Sequence, residues 1–210
     1  MHESRGRTMT VRNIIFDLGG VILDLDFERM THQFHKLGIP DFEDYFTLKK
    51  QADFFEDLEL GLITPEGFCD RLRKEAKIDV ENEVIEKAWN LILKEFSSER
   101  MEYLERISEK YNIFLFSNTN SIHAKCFEKK CVEQTGRTLD SYFEQVFYSH
   151  DLHLRKPDEA AFVEVLKRSG LQAVETLFID DNAANIAGAH KVGLQTIHLQ
   201  KPQTLLELEI

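Results

Sequence analysis

The sequence predicts an α/β fold: a parallel sheet with helices on both faces and an all-helical segment inserted after the first strand. Three observations lead to this prediction. Short apolar runs alternate with amphipathic stretches from residue 98 onwards, a pattern typical of strands joined by helices. Residues 27–96, which precede this alternation, show only helical spacing of their apolar residues. The length of 210 residues fits one domain that carries such an insertion.

The first predicted strand is the apolar run NIIFD at residues 13–17, and residues 18–20 (LGG) indicate a sharp turn directly after it. In the insertion, apolar residues recur at helical spacing over residues 27–37 and again over residues 84–92. Thr64-Pro65 marks the start of a further helix, because threonine is a good cap and proline is tolerated at the first helical position. The aromatic residues of this segment are predicted to form its own core: Phe46, Phe54, Phe55 and Trp89.

The remaining elements alternate along the chain. Strands are predicted at residues 113–116, 145–148, 176–179 and 196–199, and helices at residues 98–107, 157–169 and 184–192. We therefore divide the chain into an α/β core of residues 1–26 and 97–210 and a helical segment of residues 27–96. Residues 1–11 are expected to be a disordered leader.

Composition excludes several classes of protein. The 26 basic and 37 acidic residues give a formal net charge of −11, which argues against a nucleic-acid or anionic-membrane partner. No apolar run approaches the roughly 20 residues of a membrane helix, and the polar start lacks a secretory signal. The three cysteines fit neither a disulfide framework nor a zinc site. Reduced thiols and a cytoplasmic location follow; the oligomeric state stays open.

Polar residues follow four of the predicted strands. Asp17 follows the first, Ser117-Asn118 the second and Asp180-Asp181 the fourth, while Lys156 lies in the loop after the third. Each residue taken singly has a structural explanation, such as capping a helix or carrying a solvated charge. Ligands of parallel sheets bind at the carboxyl ends of the strands, however, so these residues are expected to converge on one site.

Three carboxylates brought together repel one another and need a positive countercharge. Oxygen ligands without a nearby histidine or cysteine favour Mg²⁺, which binds a few carboxylates and leaves coordination positions for phosphate oxygens. The sequence therefore predicts a magnesium site formed by these carboxylates.

The four motifs IIFDLGGV, LFSNTN, RKP and FIDDN resemble those of the haloacid dehalogenase-like hydrolases, in the same order and over nearly the whole chain. This resemblance implies a Rossmann-like core, and residues 27–96 resemble the family's small helical cap, which selects substrates. Bacterial members that carry DLGxV, including sugar-1-phosphate phosphatases, are the most similar. The implied function is Mg²⁺-dependent hydrolysis of a small phosphorylated metabolite, such as a sugar phosphate.

The resemblance also implies roles for individual residues. Asp17 would be the nucleophile and form an aspartyl-phosphate, a known use of carboxylates. Lys156, Ser117, Gly20 and the Asn118 backbone would bind the phosphoryl oxygens, and Lys156 would keep Asp17 ionised. The metal ligands would be Asp17, the Gly19 carbonyl and Asp181, with Asp180 acting through water and Asn185 orienting the ligands.

One position departs from the family pattern. Gly19 stands where the family's phosphatases carry the aspartate that protonates the leaving group, and loss of a general acid typically costs about 10² to 10⁴ in rate. The candidates for a replacement acid are nearby polar residues: Asp24, Asp26, Glu28 and His32.

Two other functions remain open. A dehalogenase needs no proton for its leaving halide, although the acidic pair at residues 180–181 argues for a metal that such enzymes lack. A non-catalytic protein that binds phosphorylated metabolites would keep the site without turnover.

Overall fold

The computed structural model describes residues 10–45 and 53–210. The strands are β1 (Asn13–Phe16), β2 (Leu23–Leu25), β3 (Leu93–Phe96), β4 (Asn112–Ser117), β5 (Gln145–Tyr148), β6 (Thr176–Asp180) and β7 (Gln195–His198). The helices are α1 (Phe27–Lys36), α2 (Asp53–Glu59), α3 (Pro65–Ala76), α4 (Asn82–Asn90), α5 (Ser98–Ser108), α6 (Ser121–Thr135), α7 (Ser149–Leu152), α8 (Glu159–Ser169) and α9 (Ala183–Lys191). The predicted leader at residues 1–11 lies almost entirely outside the described residues.

The main sheet is parallel and has the strand order β5-β4-β1-β6-β7, as the alternation of helices and strands predicts. Successive side chains of β1 point to opposite faces. Ile14 and Phe16 belong to one apolar cluster, whereas Ile15 packs in a second cluster with Phe162 of α8 and Ala189 of α9. Both faces of the sheet are therefore buried beneath helices, which is characteristic of parallel sheets.

The register aligns the carboxyl ends of the three central strands. Phe16 of β1 lies opposite Leu115 of β4 and Ile179 of β6. Asp17 and Asp180 directly follow two of these residues, and Ser117 comes two positions after Leu115. All three therefore lie side by side at one edge of the sheet. This register brings together the polar residues that end the strands.

Helices α1–α4 form the insertion, which has an aromatic core. The rings of Phe34 and Phe42 stack with centroids 3.8 Å apart, and the rings of Phe68 and Trp89 lie 5.4 Å apart. Phe54, Phe55 and Trp89 are buried, as the sequence predicts. Phe46, the fourth residue of that prediction, lies outside the described residues.

The prediction that residues 27–96 are helical throughout is wrong for the last four. They form β3, which pairs antiparallel with β2 through Leu23 opposite Phe96 and Leu25 opposite Leu93. Local spacing could not reveal this strand, because its partner lies about 70 residues upstream and pairing across the insertion defines it. The two strands form the connection between the insertion and the core, which we call the stem.

A smaller difference concerns α8. The helix begins at Glu159 with Asp158 as its N-cap, so Pro157 precedes the helix and does not open it as predicted. Among the described helices, none combines the length and the apolar character needed to cross a membrane.

Candidate active site

Three carboxylates meet at the carboxyl edge of the sheet. Asp17 directly follows β1, Asp180 ends β6 and Asp181 follows it. Each offers an oxygen atom, and these atoms lie within 4.8 Å of one another. Three carboxylate oxygens at this separation form a donor set that suits a hard divalent cation such as Mg²⁺. The residues present thus fit the metal that the sequence predicts.

Lys156 is the positive charge at the centre of this site. Its side chain is fully buried, and Nζ donates to Asp17 Oδ1 at 2.7 Å, to Asp180 Oδ2 at 2.8 Å and to the Phe116 carbonyl at 2.8 Å. A buried ammonium group needs all its protons paired, and these three acceptors satisfy them. The loop between α7 and α8 thus places the lysine between the ends of β1, β4 and β6.

The carboxylates carry more negative charge than the lysine neutralises. Burial raises the pKa of Asp17 to about 7, although Lys156 opposes this shift; the charge of Asp180 adds to it. Burial and the nearby Asp180 also raise the pKa of Asp181. For Lys156, burial alone would lower the pKa, but the two aspartates outweigh burial and hold it above its usual value. A further cation at the carboxylates would relieve this excess negative charge.

Asp180 and Asp181 have different surroundings. Asp180 is buried, and its oxygens accept from Lys156, from the Asn182 backbone at 2.8 Å and from Asn185 Nδ2 at 3.0 and 3.1 Å. Asp181, by contrast, is exposed. Asn185 therefore fixes the orientation of Asp180, while Asp181 stays accessible to solvent.

Asn118 holds the main chain of the lysine loop. Its side-chain Nδ2 donates to the Lys156 carbonyl at 2.8 Å, and its Oδ1 accepts from the Lys156 backbone at 2.9 Å. This reciprocal pair ties the end of β4 to residue 156. Sequence analysis assigns only the Asn118 backbone to the site and misses this contribution of the side chain.

Glycines set two of the close approaches around the site. Gly20 has φ +80°, and a Cβ there would lie 2.1 Å from Asp181 Oδ2. A Cβ at Gly188 in α9 would lie 2.2 Å from the Pro157 carbonyl, which directly follows Lys156 in the chain. Sequence analysis does not identify Gly188, and its only signal is a glycine inside a predicted helix, where glycine lowers helix stability.

The space beside Gly19 is occupied by an apolar side chain. A Cβ at Gly19 would lie 3.0 Å from Leu25 Cδ1, and the backbone there is outside the left-handed region. Of the candidate acids, Asp24 pairs with Arg100 at 2.8 Å and Asp26 caps α1 by accepting from the Arg29 backbone at 2.9 Å. Both aspartates thus stabilise the base of the insertion.

The other two candidate acids, Glu28 and His32, lie exposed on α1.

His198, at the end of β7, is a further neighbour that sequence analysis misses. Its Nε2 donates to the Asp181 carbonyl at 3.0 Å, while its Nδ1 accepts from Gln200 Nε2 at 3.1 Å. The histidine therefore supports the backbone that presents Asp181. The sequence places His198 near the carboxyl end of a predicted strand, and this position could have identified it as a neighbour of the site.

The match to a family model identifies the class of protein. Residues 11–193 match the model of the haloacid dehalogenase-like hydrolases, so the chain belongs to this family and is a hydrolase.

Two relatives of known activity are similar to this chain over most of its length. The chain is 28% identical over 186 residues to the D-ribitol-5-phosphate phosphatase of Bacteroides thetaiotaomicron, which covers 89% of this chain and 90% of that protein. It is 26% identical to the pyrimidine 5'-nucleotidase PynA of Streptococcus pneumoniae, with 90% and 84% of the two chains covered.

Solved structures share the fold. A haloacid dehalogenase-family enzyme from Bacteroides thetaiotaomicron, crystallised with magnesium and inorganic phosphate, superposes with a TM-score of 0.85 at 33% identity over 91% of this chain and 96% of that one. A 2-haloacid dehalogenase from Pseudomonas syringae is 18% identical, with a TM-score of 0.58 over 90% and 86% of the two chains. The latter likeness concerns the fold alone.

Proposed function

We propose that this hydrolase is a Mg²⁺-dependent phosphatase that acts on a small phosphorylated sugar or polyol through an aspartyl-phosphate. The observation that carries the proposal is the contact between buried Asp17 and Lys156 at 2.7 Å, beside two further carboxylates. One carboxylate held by an ammonium group and surrounded by metal-binding oxygens is suited to attack a phosphorus atom whose charge is being neutralised.

Asp17 attacks the phosphorus, and the bond from phosphorus to the leaving oxygen breaks, so that the leaving group departs as an oxyanion and takes its proton from water. Water then hydrolyses the aspartyl-phosphate and restores the carboxylate. The Ser117 hydroxyl and the Asn118 backbone amide donate to the phosphoryl oxygens as their charge redistributes, while Lys156 stabilises this charge from its place among Asp17, Asp180 and the Phe116 carbonyl. The Gly20 amide instead donates to the Leu23 carbonyl at 2.9 Å, so Gly20 contributes by leaving space next to Asp181.

The metal ligands are Asp17, the Gly19 carbonyl and Asp181. Bound Mg²⁺ offsets the negative charge shared by the phosphoryl group and the carboxylates. Asp180 acts through water, because its own oxygens already accept from Lys156, Asn182 and Asn185. Asn185 keeps this carboxylate in position.

Residues 27–96 act as the cap that selects the substrate, and residues 1–26 and 97–210 as the catalytic core. The curated relatives act on a pentitol phosphate and on pyrimidine nucleotides, and both support a small phosphate ester as substrate. The enzyme works in the cytoplasm, in keeping with its free cysteines among the described residues.

A screen for phosphate release tests this proposal. D-ribitol 5-phosphate, a pyrimidine 5'-nucleotide, sugar 1-phosphates and a 2-haloacid are incubated with the protein, with Mg²⁺ or with chelator, and Asp17→Asn serves as the matched control. We expect Mg²⁺-dependent phosphate release from at least one ester. Halide release in chelator, or binding of esters without turnover, would contradict the proposal and support one of the two alternative functions.

A further inference from the structure

Among the described residues of the insertion, contacts with the core fall in two places of different character. At the stem, β2 pairs with β3. Side chains of α6 also form hydrogen bonds with backbone groups of α4 and β3. Gln134 Oε1 accepts from the Phe96 backbone at 2.9 Å, Lys130 donates to the Leu93 carbonyl at 3.1 Å, and the His123 ring donates to the Trp89 carbonyl at 3.2 Å. Buried apolar residues of the stem belong to the same cluster as the core beneath it.

The second contact is polar and lies at α2. Arg155 Nη2 lies 2.9 Å from Glu59 Oε2, and Arg155 Nη1 lies 3.6 Å from Glu56 Oε2. His153 Nδ1 donates to the Leu60 carbonyl at 2.7 Å. We call these contacts, made by Glu56, Glu59 and Leu60 with His153 and Arg155, the α2 clasp.

Close packing accompanies the clasp. Gly61 has φ +65°, and a Cβ there would lie 2.3 Å from the His150 carbonyl in α7. The turn after α2 therefore rests directly on the core backbone. A side chain at this position would hold α2 away from the core.

The clasp is the contact that separates more readily. Glu59 Oε2 is buried in the clasp and burial raises the pKa of Glu59, so separation would return a poorly solvated carboxylate to water. Parting the stem would instead break backbone pairing and expose apolar surface. Separating the clasp would therefore cost less than separating the stem.

Arg155 connects the clasp to the active site because it directly precedes Lys156. The main chain at residue 156 is fixed by Asn118, and its ammonium group contacts Asp17. Burial raises the pKa of Glu59, and the positive charges of Arg155 and Lys156 oppose this shift.

We propose that Arg155 is a positioning residue that links the docking of α2 to the placement of Lys156. When Glu56 and Glu59 hold the guanidinium group, residues 153–156 keep a single conformation and the lysine stays aligned between its carboxylates. When α2 separates, this segment loses its partners on the insertion side. The catalytic consequence rests on the proposed function; the structural link does not.

Amide hydrogen exchange of the full-length protein, without substrate, tests the link. In Glu59→Gln, which changes only α2, we expect amides of residues 149–156 to exchange at least about threefold faster, while those of residues 93–96 in the stem are unchanged. Glu105→Gln is the matched control, since it removes an ion pair with Arg137 elsewhere on the core. Glu56→Gln, which loses the weaker 3.6 Å contact, should give a smaller effect in the same segment.

Kinetics provide the second readout. Arg155→Glu should lower kcat/KM for the best phosphate ester by about tenfold, with much of the loss in kcat, and adding Glu59→Arg should recover at least about threefold by restoring the pair with reversed charges. Unchanged exchange at residues 149–156 in both Glu59→Gln and Glu56→Gln would overturn the proposal. So would a double variant as impaired as Arg155→Glu alone. If the wild-type protein hydrolyses no ester, the proposed function fails, while the exchange result still decides the link.

Discussion

Lys156→Met tests the electrostatic account of the site through protein stability. Methionine matches the length of the lysine stem and removes the charge, so Asp17 and Asp180 lose the ammonium group that lies 2.7 and 2.8 Å away. Removing one partner of a buried ion pair costs about 3–5 kcal/mol, because the remaining charge is left uncompensated. We expect a loss of this size in the free energy of unfolding at pH 8 in chelator, together with loss of activity.

The origin of this loss determines its pH dependence. Without the lysine, no ammonium group opposes the rise that burial causes in the pKa of Asp17, so the folded variant takes up a proton at this group at a higher pH than the wild type does. Its deficit relative to wild type should therefore shrink between pH 8 and pH 5. Mg²⁺ should stabilise the variant itself, by about 2.7 kcal/mol at a concentration one hundred times the Kd of the variant.

Urea unfolding of both proteins at the two pH values measures these differences. Lys191→Met is the matched control, because it removes an exposed pair with Glu159 at 3.4 Å and should cost less than about 1 kcal/mol. A Lys156→Met deficit below about 1 kcal/mol at pH 8 in chelator, or one that is the same at pH 5, would refute the reasoning.

Three further predictions concern the metal, the leaving group and the packing of the lysine loop. Replacing Mg²⁺ with Ca²⁺ should abolish turnover, because the larger and more flexible coordination shell misplaces Asp17; comparable kcat with both ions would contradict this. Because Gly19 carries no acid, kcat should rise with leaving-group acidity, so aryl and anomeric phosphates should outrun primary alkyl phosphates. Gly19→Asp should raise kcat on alkyl phosphates by up to about 10² to 10⁴, provided that Leu25, which lies 3.0 Å from the new Cβ, shifts aside. If kcat of the wild type does not depend on the pKa of the leaving group, another residue supplies the proton. Gly188→Ala forces a methyl group against the Pro157 carbonyl, and should cost about 1–3 kcal/mol in urea unfolding and lower kcat, whereas Ala187→Ser on the exposed side of α9 should do neither.

The parallel sheet was predictable because it depends on local signals. Each core strand is a short apolar run bounded by turn residues, and the helices between the strands carry regular apolar spacing. Asp17 and Asp180 could be placed in one site from topology alone, since parallel strands present their carboxyl ends at one edge.

Features that depend on pairing between distant segments were not predictable in this way. The β2–β3 stem joins residues on either side of the insertion, and β3 alone is too short to show a period. Gly188 is required by the approach of the Pro157 carbonyl, which only the folded packing of α9 against the lysine loop creates. The contact between Arg155 and α2 likewise requires the position of the insertion over the core.

The central claim, that Asp17 is the nucleophile of a Mg²⁺-dependent phosphatase, is tested most directly by kcat of Asp17→Asn. The measurement uses the best ester with saturating Mg²⁺, in a variant whose folding is verified by its unfolding transition. An amide is a poor nucleophile and a weak metal ligand, so we predict kcat below about one hundredth of the wild-type value. A folded Asp17→Asn protein that retains more than this fraction would contradict the account.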